Sequence, residues 1–399
     1  MISWTKRSYL YFAVFSVIFV FIFHIQEERV LQVEDNQPEE YTLRRWPKSH
    51  YSFDVNTSRL IDVQFPTRST HGPNITKEIS ILFINKPNWF DLKSFNEFLK
   101  TECLYSNCVM VDKTDTRTEM NAIIFGASNT IRHSLQKVVS ERSKDQVWIF
   151  FKMEPPEISR QEWYKDPILR NTMNWSWGYR TDSDIFRPIQ VLRRRSIINT
   201  RDYTAIFKTK TKFAAWVVSN CNTKSLREQY VSKLVDAGIQ VDVFGRCSKS
   251  KRYITKESVT KLINKDYLFY LSFENNYCKD YVTEKFYTYF DLDVVLVVRG
   301  GLNYSEHFDK SAFIDASNFQ SAEHLAKYMM HVSRNEKVYT DFLRNKDKYI
   351  TIGPPSYSLK QSGCRLCEKL NNLDQYHKVY ENVDAYIHNY TCFNPKYVL

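Results

Sequence analysis

Nine glycines are spread through the 399 residues, and nowhere do they form a G-x-G-x-x-G or P-loop motif. Neither of the usual backbone cradles for a dinucleotide or a nucleoside triphosphate is therefore present. A zinc ribbon is lacking too. Cys364-Arg-Leu-Cys367 has no second C-x-x-C to complete four ligands, and Cys103 and Cys108 have the wrong spacing to serve as one. The apolar stretch near the N-terminus runs out in His24-Ile25-Gln26-Glu27, which offers no small residue for signal-peptide cleavage.

The length suffices for two domains, each with its own core. A net charge of +11 and a pI near 9.0 point to an anionic partner: nucleic acid, an acidic membrane or a phosphorylated small molecule. Tyr9 to Ile25 is apolar almost throughout, with Lys6 and Arg7 before it and Glu27 and Glu28 after it. That asymmetry reads as an uncleaved transmembrane signal anchor, with residues 1–8 cytoplasmic and the bulk of the chain lumenal. Residues 26–76 are polar, carry Pro38, Pro47, Pro66 and Pro73, and show no sustained period, as a stem does. Acceptor sequons at Asn56, Asn74, Asn174, Asn303 and Asn389 all fall on the lumenal side. In that oxidising compartment disulfides are expected of Cys103, Cys108, Cys221, Cys247, Cys278, Cys364, Cys367 and Cys392, with ~105 complete connectivities open. A lumenal domain meets little nucleic acid, which removes that partner despite the basic charge.

From Glu78 onward, apolar runs alternate with helix-compatible segments. Ile79–Ile84, Asn121–Phe125 and Val147–Phe151 read as buried strands, with helices over Leu92–Lys100 and Arg132–Val139. The pattern resumes with a strand at Phe213, a helix over Ser225–Asp236, strands at Gln240–Phe244 and Val294–Val298, and an amphipathic helix over Ala322–Val332. Such alternation implies βαβ units and parallel sheets, whose ligands sit beyond the carboxyl ends of the strands. Glu154, in Lys152-Met-Glu-Pro-Pro156, lies just past one such end, where a carboxylate on a rigid prolyl turn can serve as a general base. Arg227 falls in the first turn of the helix after the Phe213 strand, where a guanidinium can reach a pyrophosphate. Arg193-Arg-Arg195 reads as a solvated connection between domains.

The densest signal is Leu268–Lys285, LFYLSFENNYCKDYVTEK. Its first half reads as a buried parallel strand that Glu274, Asn275 and Asn276 terminate. Asp280 can cap a following helix, and Tyr281, Glu284 and Lys285 then share one face at its N-terminus, a place that attracts phosphate. By spacing alone, this is equally a capped helix with a surface Glu/Lys pair.

The stretch FYLSFENNYCKDYVTEKFY resembles the signature of the α1,3-fucosyltransferases of glycosyltransferase family 10, in which a FYLxFENS-like strand leads into D-Y-[VI]-T-E-K. Met173–Ile185 is similar to the family's FNWTMSYRxDSDI block, and Ser219–Arg227 to its SNCxxxxxR pattern. The resemblance implies an α/β fold of the GT-B type. Two Rossmann-like domains face a cleft, residues 77–205 on the acceptor side and 206–360 binding GDP-fucose, followed by a C-terminal segment, 361–399. It implies that Cys103 and Cys108 pair with Cys364 and Cys367. It assigns Glu154 as the catalytic base and Arg227, Asn275, Tyr281, Glu284 and Lys285 to the donor. The implied reaction is inverting transfer of L-fucose from GDP-β-L-fucose to a GlcNAc hydroxyl by a single-pass type II Golgi membrane enzyme.

Asp182 and Asp184 look like a D-x-D metal site, but in this family the block is not taken as a metal ligand. No metal or other cofactor is required on this reading, and stimulation by Mn2+ or Mg2+ is left open. Several positions depart from the family pattern. Pro155 stands where a serine is usual, Asp293–Gly300 lacks the proline of SVPVVLG, Gly126-Ala127 replaces a histidine pair, and Pro188-Ile-Gln190 replaces PYG. Because these fall largely on the acceptor side, antennal and core GlcNAc acceptors both stay open. So does a catalytically weak fucosyltransferase-like lumenal binding or scaffolding subunit.

Overall fold

The computed structural model describes residues 60–67, 73, 77–126, 135–158, 163–198, 200–248 and 255–395. The anchor at 9–25, most of the stem, and the sequons at Asn56 and Asn74 lie outside the described residues. Among the described residues, no helix is long and apolar enough to cross a membrane.

Strands β1 (Ile79–Ile84), β2 (Cys108–Val111), β3 (Ala122–Phe125), β4 (Val147–Lys152), β5 (Trp175–Gly178) and β6 (Ile185–Phe186) form a parallel sheet in the order β2-β1-β3-β4-β5-β6. Both faces are covered, so the strands are apolar along most of their length rather than alternating, with Ser80, Lys152 and Ser176 as exceptions. Along β4, Val147, Ile149 and Phe151 enter one core with Phe95 and Leu99, while Trp148 and Phe150 enter another with Trp163 and Tyr380. The chain leaves through β7 (Val191–Arg194) and builds a second parallel sheet from β8 (Lys212–Val217), β9 (Val241–Phe244), β10 (Tyr267–Phe273), β11 (Val295–Arg299) and β12 (Phe313–Asp315), in the order β12-β11-β10-β8-β9. It returns through β13 (Tyr349–Ile352), which pairs antiparallel with β7, so the two connections between the halves run side by side.

Two sequence expectations change here, and a third is refined. Residues 60–67, read as stem, belong to the folded body: Leu60 and Ile61 are buried in the core of the second half, and Asp62 N donates to Leu192 O at 2.9 Å. An apolar pair at the end of a polar stretch has a partner surface that composition does not reveal. Arg193-Arg-Arg195 lies on the connection between the halves and is solvated at its first two positions, as expected, but the connection is an ordered strand. Arg193 and Arg194 are exposed positions on β7, and Arg195 Nε donates to Tyr349 O at 3.0 Å. The boundary at residue 360 falls inside one continuous helix, Pro355–Asn371, which carries the chain back to the first half. There Leu359, Leu366 and Leu370 join Phe95 and Leu99 in the core, and Gly363 allows the close approach, since a Cβ on it would lie 2.3 Å from Phe95 Cζ.

Four disulfides take up all eight cysteines. Cys103–Cys364 and Cys108–Cys367 fasten this returning helix to the first sheet, while Cys221–Cys247 and Cys278–Cys392 sit at strand ends of the second half.

Candidate active site

In the second sheet, β8 has β9 on one side and β10 on the other, so the chain reverses its direction of travel between β8 and β10. The crevice outside the carboxyl ends of two such strands is where open parallel sheets bind ligands, because the crossovers leave to opposite faces there. A cleft of about 370 Å³ opens at that point. Val217, Val218, Ser219 and Asn220 line it from the end of β8, and Asn275 from the end of β10. The opposite wall is the loop after β4, with Glu154 and Ile158. Glu154, Arg227, Asn275, Tyr281, Glu284 and Lys285, the six residues singled out in the sequence, all line this one cleft.

Their local geometry differs from the sequence expectation in two respects. The helix after β10 starts at Glu284, capped by Thr283, and not at Asp280. Asp280 instead has a left-handed backbone, φ 59°, and its Oδ2 accepts from Thr181 N at 2.9 Å and Thr181 Oγ1 at 2.7 Å. Tyr281 therefore precedes the helix and does not share a helical face with Glu284 and Lys285. Its hydroxyl crosses the cleft and donates to Glu154 Oε2 at 2.8 Å.

Glu154 keeps an exposed edge toward the cleft. Partial desolvation by its surroundings raises its carboxyl above the ordinary value, against the opposing pull of the Tyr281 hydrogen bond and the Lys285 charge. A carboxylate raised in this way is a better proton acceptor than a free one.

Lys285 anchors the other wall. Its Nζ lies 3.2 Å from Glu274 Oε2 and 3.1 Å from Glu284 Oε1, and donates to Thr283 Oγ1 at 2.8 Å. Burial alone would lower its pKa, but the two carboxylates outweigh burial and raise it, which keeps the ammonium charged. Burial likewise pushes Glu284 up, and Lys285 brings it below the ordinary value. Glu274 is 0% exposed, and its Oε1 accepts from Thr283 N at 2.8 Å. Sequence reading took it only as the strand's end. The available signal was a charged residue directly continuing the apolar run of β10.

Arg227 is the first residue of helix Arg227–Asp236 and is 1% exposed. Its Nη1 donates to Phe273 O at 2.8 Å, its Nη2 to Asn220 O at 2.7 Å, and its Nε faces Glu228 at 3.4 Å. A guanidinium has five N–H donors, so two are left to face an anion in the cleft. Arg227 thus also ties together the ends of β8 and β10, a second duty that spacing did not reveal. Tyr270 and Tyr289, stacked at 3.6 Å, complete the wall.

Asp182 and Asp184 turn to different partners. Asp182 meets Arg180 at 2.6 Å and Lys279 at 3.5 Å, while Asp184 Oδ2 accepts from Tyr380 and Ser176 and its Oδ1 from Lys378 at 2.9 Å. Both carboxylates are already neutralised by protein cations, so the chemistry of the pair does not suit a divalent ion. Asn174 is half-buried, with its Nδ2 donating to Lys378 O at 3.0 Å, whereas Asn303 and Asn389 are exposed.

Residues 76–190 match the family model described as fucosyltransferase, N-terminal, and residues 207–386 match glycosyltransferase family 10 (fucosyltransferase) C-term. The chain belongs to glycosyltransferase family 10, the fucosyltransferases. It is 26% identical over 358 residues to α-(1,3)-fucosyltransferase fut-5 of Caenorhabditis elegans, covering 86% of this chain and 91% of that one. It is 31% identical over 290 residues to α-(1,3)-fucosyltransferase C of Drosophila melanogaster, covering 67% of this chain and 65% of that one. The bovine 3-galactosyl-N-acetylglucosaminide 4-α-L-fucosyltransferase FUT3 is 35% identical over 251 residues, covering 62% and 65%. A solved α1,3-fucosyltransferase structure superposes with a TM-score of 0.49 at 15% identity, covering 81% of this chain and 97% of that one.

Proposed function

We propose that this enzyme is an inverting α1,3-fucosyltransferase of the GT-B type that moves L-fucose from GDP-β-L-fucose to a GlcNAc hydroxyl of a glycoprotein or glycolipid glycan. The observation that carries the reading is the cleft itself, where one carboxylate from the first half faces a cationic wall from the second. The acceptor oxygen must lose a proton as it attacks the anomeric carbon, and Glu154 takes it. Attack from the Glu154 side, opposite the departing diphosphate, inverts the anomeric centre. Negative charge grows on GDP as the bond breaks, and Lys285 and the two remaining donors of Arg227 stabilise it. Glu284 accepts hydrogen bonds from the ribose hydroxyls, and Asn275 and Tyr281 line the same pocket.

With two fixed cations at the diphosphate, this reading requires no divalent ion. The apolar segment at 9–25, the exposed sequons at Asn303 and Asn389 and the four disulfides support a type II Golgi membrane protein with its catalytic domain in the lumen.

The test is transfer from GDP-fucose by the full chain, with EDTA present, to a panel of antennal and core N-glycan acceptors. Product on one acceptor class establishes the activity and the acceptor together. A folded chain that binds GDP yet forms no product with EDTA or with added Mn2+ sinks the enzymatic reading in favour of a lumenal binding subunit.

A further inference from the structure

The loop after β10 belongs to the second half of the chain, yet most of its contacts reach the first half and the C-terminal segment. Asp280 accepts both the Thr181 N–H and the Thr181 hydroxyl. Lys279 Nζ stands 3.5 Å from Asp182. Lys279 N donates to Thr391 O at 2.7 Å, Phe393 N donates to Tyr277 O at 2.8 Å, and Cys278 is bonded to Cys392. Arg180 closes the set from below, donating to Asp182 and, at 3.0 Å, to Thr391 Oγ1.

At the centre of these contacts Asp280 holds a left-handed backbone, a conformation that a non-glycine residue keeps only where its surroundings over-determine it. The next residue is Tyr281, whose ring packs edge-on against Tyr179 at 5.2 Å and whose hydroxyl holds Glu154 Oε2. If Asp280 relaxed to negative φ, the direction of the following residue would change, and Tyr281 would leave Glu154. With Oε2 held by Tyr281, Oε1 is the oxygen that this reading leaves to take the acceptor's proton.

We propose that Asp280 and Thr181 are positioning residues: their contact across the cleft keeps the Tyr281 hydroxyl on Glu154 and thereby aims the carboxylate that receives the acceptor's proton. This rests on the assignment of Glu154 as the base. The latch works through backbone geometry, since neither Asp280 nor Thr181 needs to touch donor or acceptor. It also gives the C-terminal segment a function, because Cys392 and Thr391 hold the same loop from behind.

The readout is the acid limb of kcat/KM for the acceptor, which follows ionisation of the base. Glu154 is faced by Lys152 of β4, Tyr179 and Arg187 of the first half, and Tyr281, Glu284 and Lys285 of the second. Of these, Tyr281 donates the hydrogen bond that favours the ionised form, so its loss moves the limb to higher pH. Thr181→Val, Asp280→Ala and Tyr281→Phe are measured in the full chain, with Glu154→Gln and thermal unfolding alongside. We expect Thr181→Val and Asp280→Ala to lower kcat about tenfold, as a small misplacement of a reacting group does. Both limbs should move in the same direction as that of Tyr281→Phe. In the Thr181→Val/Tyr281→Phe double variant no further movement is expected. An unmoved limb in Thr181→Val with Glu154→Gln inactive overturns the latch and leaves the base standing. Wild-type turnover in Glu154→Gln overturns both.

Discussion

Glu274, sealed from solvent at the end of β10, stands 3.2 Å from the Lys285 ammonium and receives the N–H of Thr283, the residue that caps the helix carrying Lys285. One buried carboxylate therefore fixes both the charge and the starting point of the cationic wall. Glu274→Gln keeps the shape and removes the charge. Donor KM should rise about tenfold, equivalent to about 1.4 kcal/mol, read from initial rates against GDP-fucose. The same substitution has a pH signature. Burial raises the Glu274 carboxyl above its ordinary value despite the opposing charge of Lys285. The stability it contributes is complete below the unfolded pKa and is lost as pH rises through the folded one. The stability difference between wild type and Glu274→Gln should therefore shrink as pH rises through that window, which denaturant midpoints at several pH values would show.

Arg227 and Lys285 should each show in both turnover and stability. Each Ala substitution removes a charge-stabilising donor and should cost about a hundredfold in turnover, or about 3 kcal/mol. Arg227→Ala also strands the buried carbonyl of Phe273, for about 1–3 kcal/mol of folding stability, and Lys285→Ala strands the buried Glu274 carboxylate, for about 3–5 kcal/mol. Paired turnover and unfolding measurements check this, and a wild-type unfolding midpoint in Arg227→Ala would refute the bracing role.

Activity should fall on the acid side as Glu154 takes up a proton, with the midpoint displaced above the ordinary carboxylate range by desolvation. Glu154→Gln should lose that limb and about 10²–10⁴ in kcat, while binding of GDP, measured by calorimetry, is retained.

The disulfides should differ in what they contribute. Cys103–Cys364 and Cys108–Cys367 close nearly the same loop, with separations of 261 and 259 residues, and Cys221–Cys247 closes one of 26, so the chain-entropy model makes loss of the first two together cost more than loss of the third, about 5.6 against 3.5 kcal/mol. Paired Cys→Ser variants compared by equilibrium denaturation test the order.

Sequon use should follow exposure. The Asn174 side chain accepts from Trp148 N at 2.8 Å and Arg142 Nη2 at 2.7 Å and donates to Lys378 O, so it holds three segments together. Glycopeptide mass spectrometry of secretory-pathway material should find glycan at Asn303 and Asn389 and none at Asn174. Asn174→Ala should cost about 1–3 kcal/mol of stability, and Asn303→Ala close to nothing.

Much of this protein is written locally. The apolar runs at Ile79, Val147, Phe213 and Leu268 specify strands buried on both faces, because side-chain burial repeats over a few residues and leaves its period in the chain. The same locality places Glu154 and Arg227 beyond strand ends, and the signature stretch supplies the residues of the donor wall. What spacing alone does not settle is which distant groups meet. It leaves open that Tyr281 reaches across to Glu154, that Asp280 holds Thr181 instead of capping a helix, that Arg227 binds the carbonyls of Phe273 and Asn220, and that residues 355–395 return to the first half. Apart from Arg227 and Asn220, which are 7 residues apart, those contacts join positions 46 to more than 200 residues apart in the chain. Their partners are chosen by the packing of two sheets and the path between them. Local propensity determines the elements, and the tertiary structure decides which side chains the elements bring together.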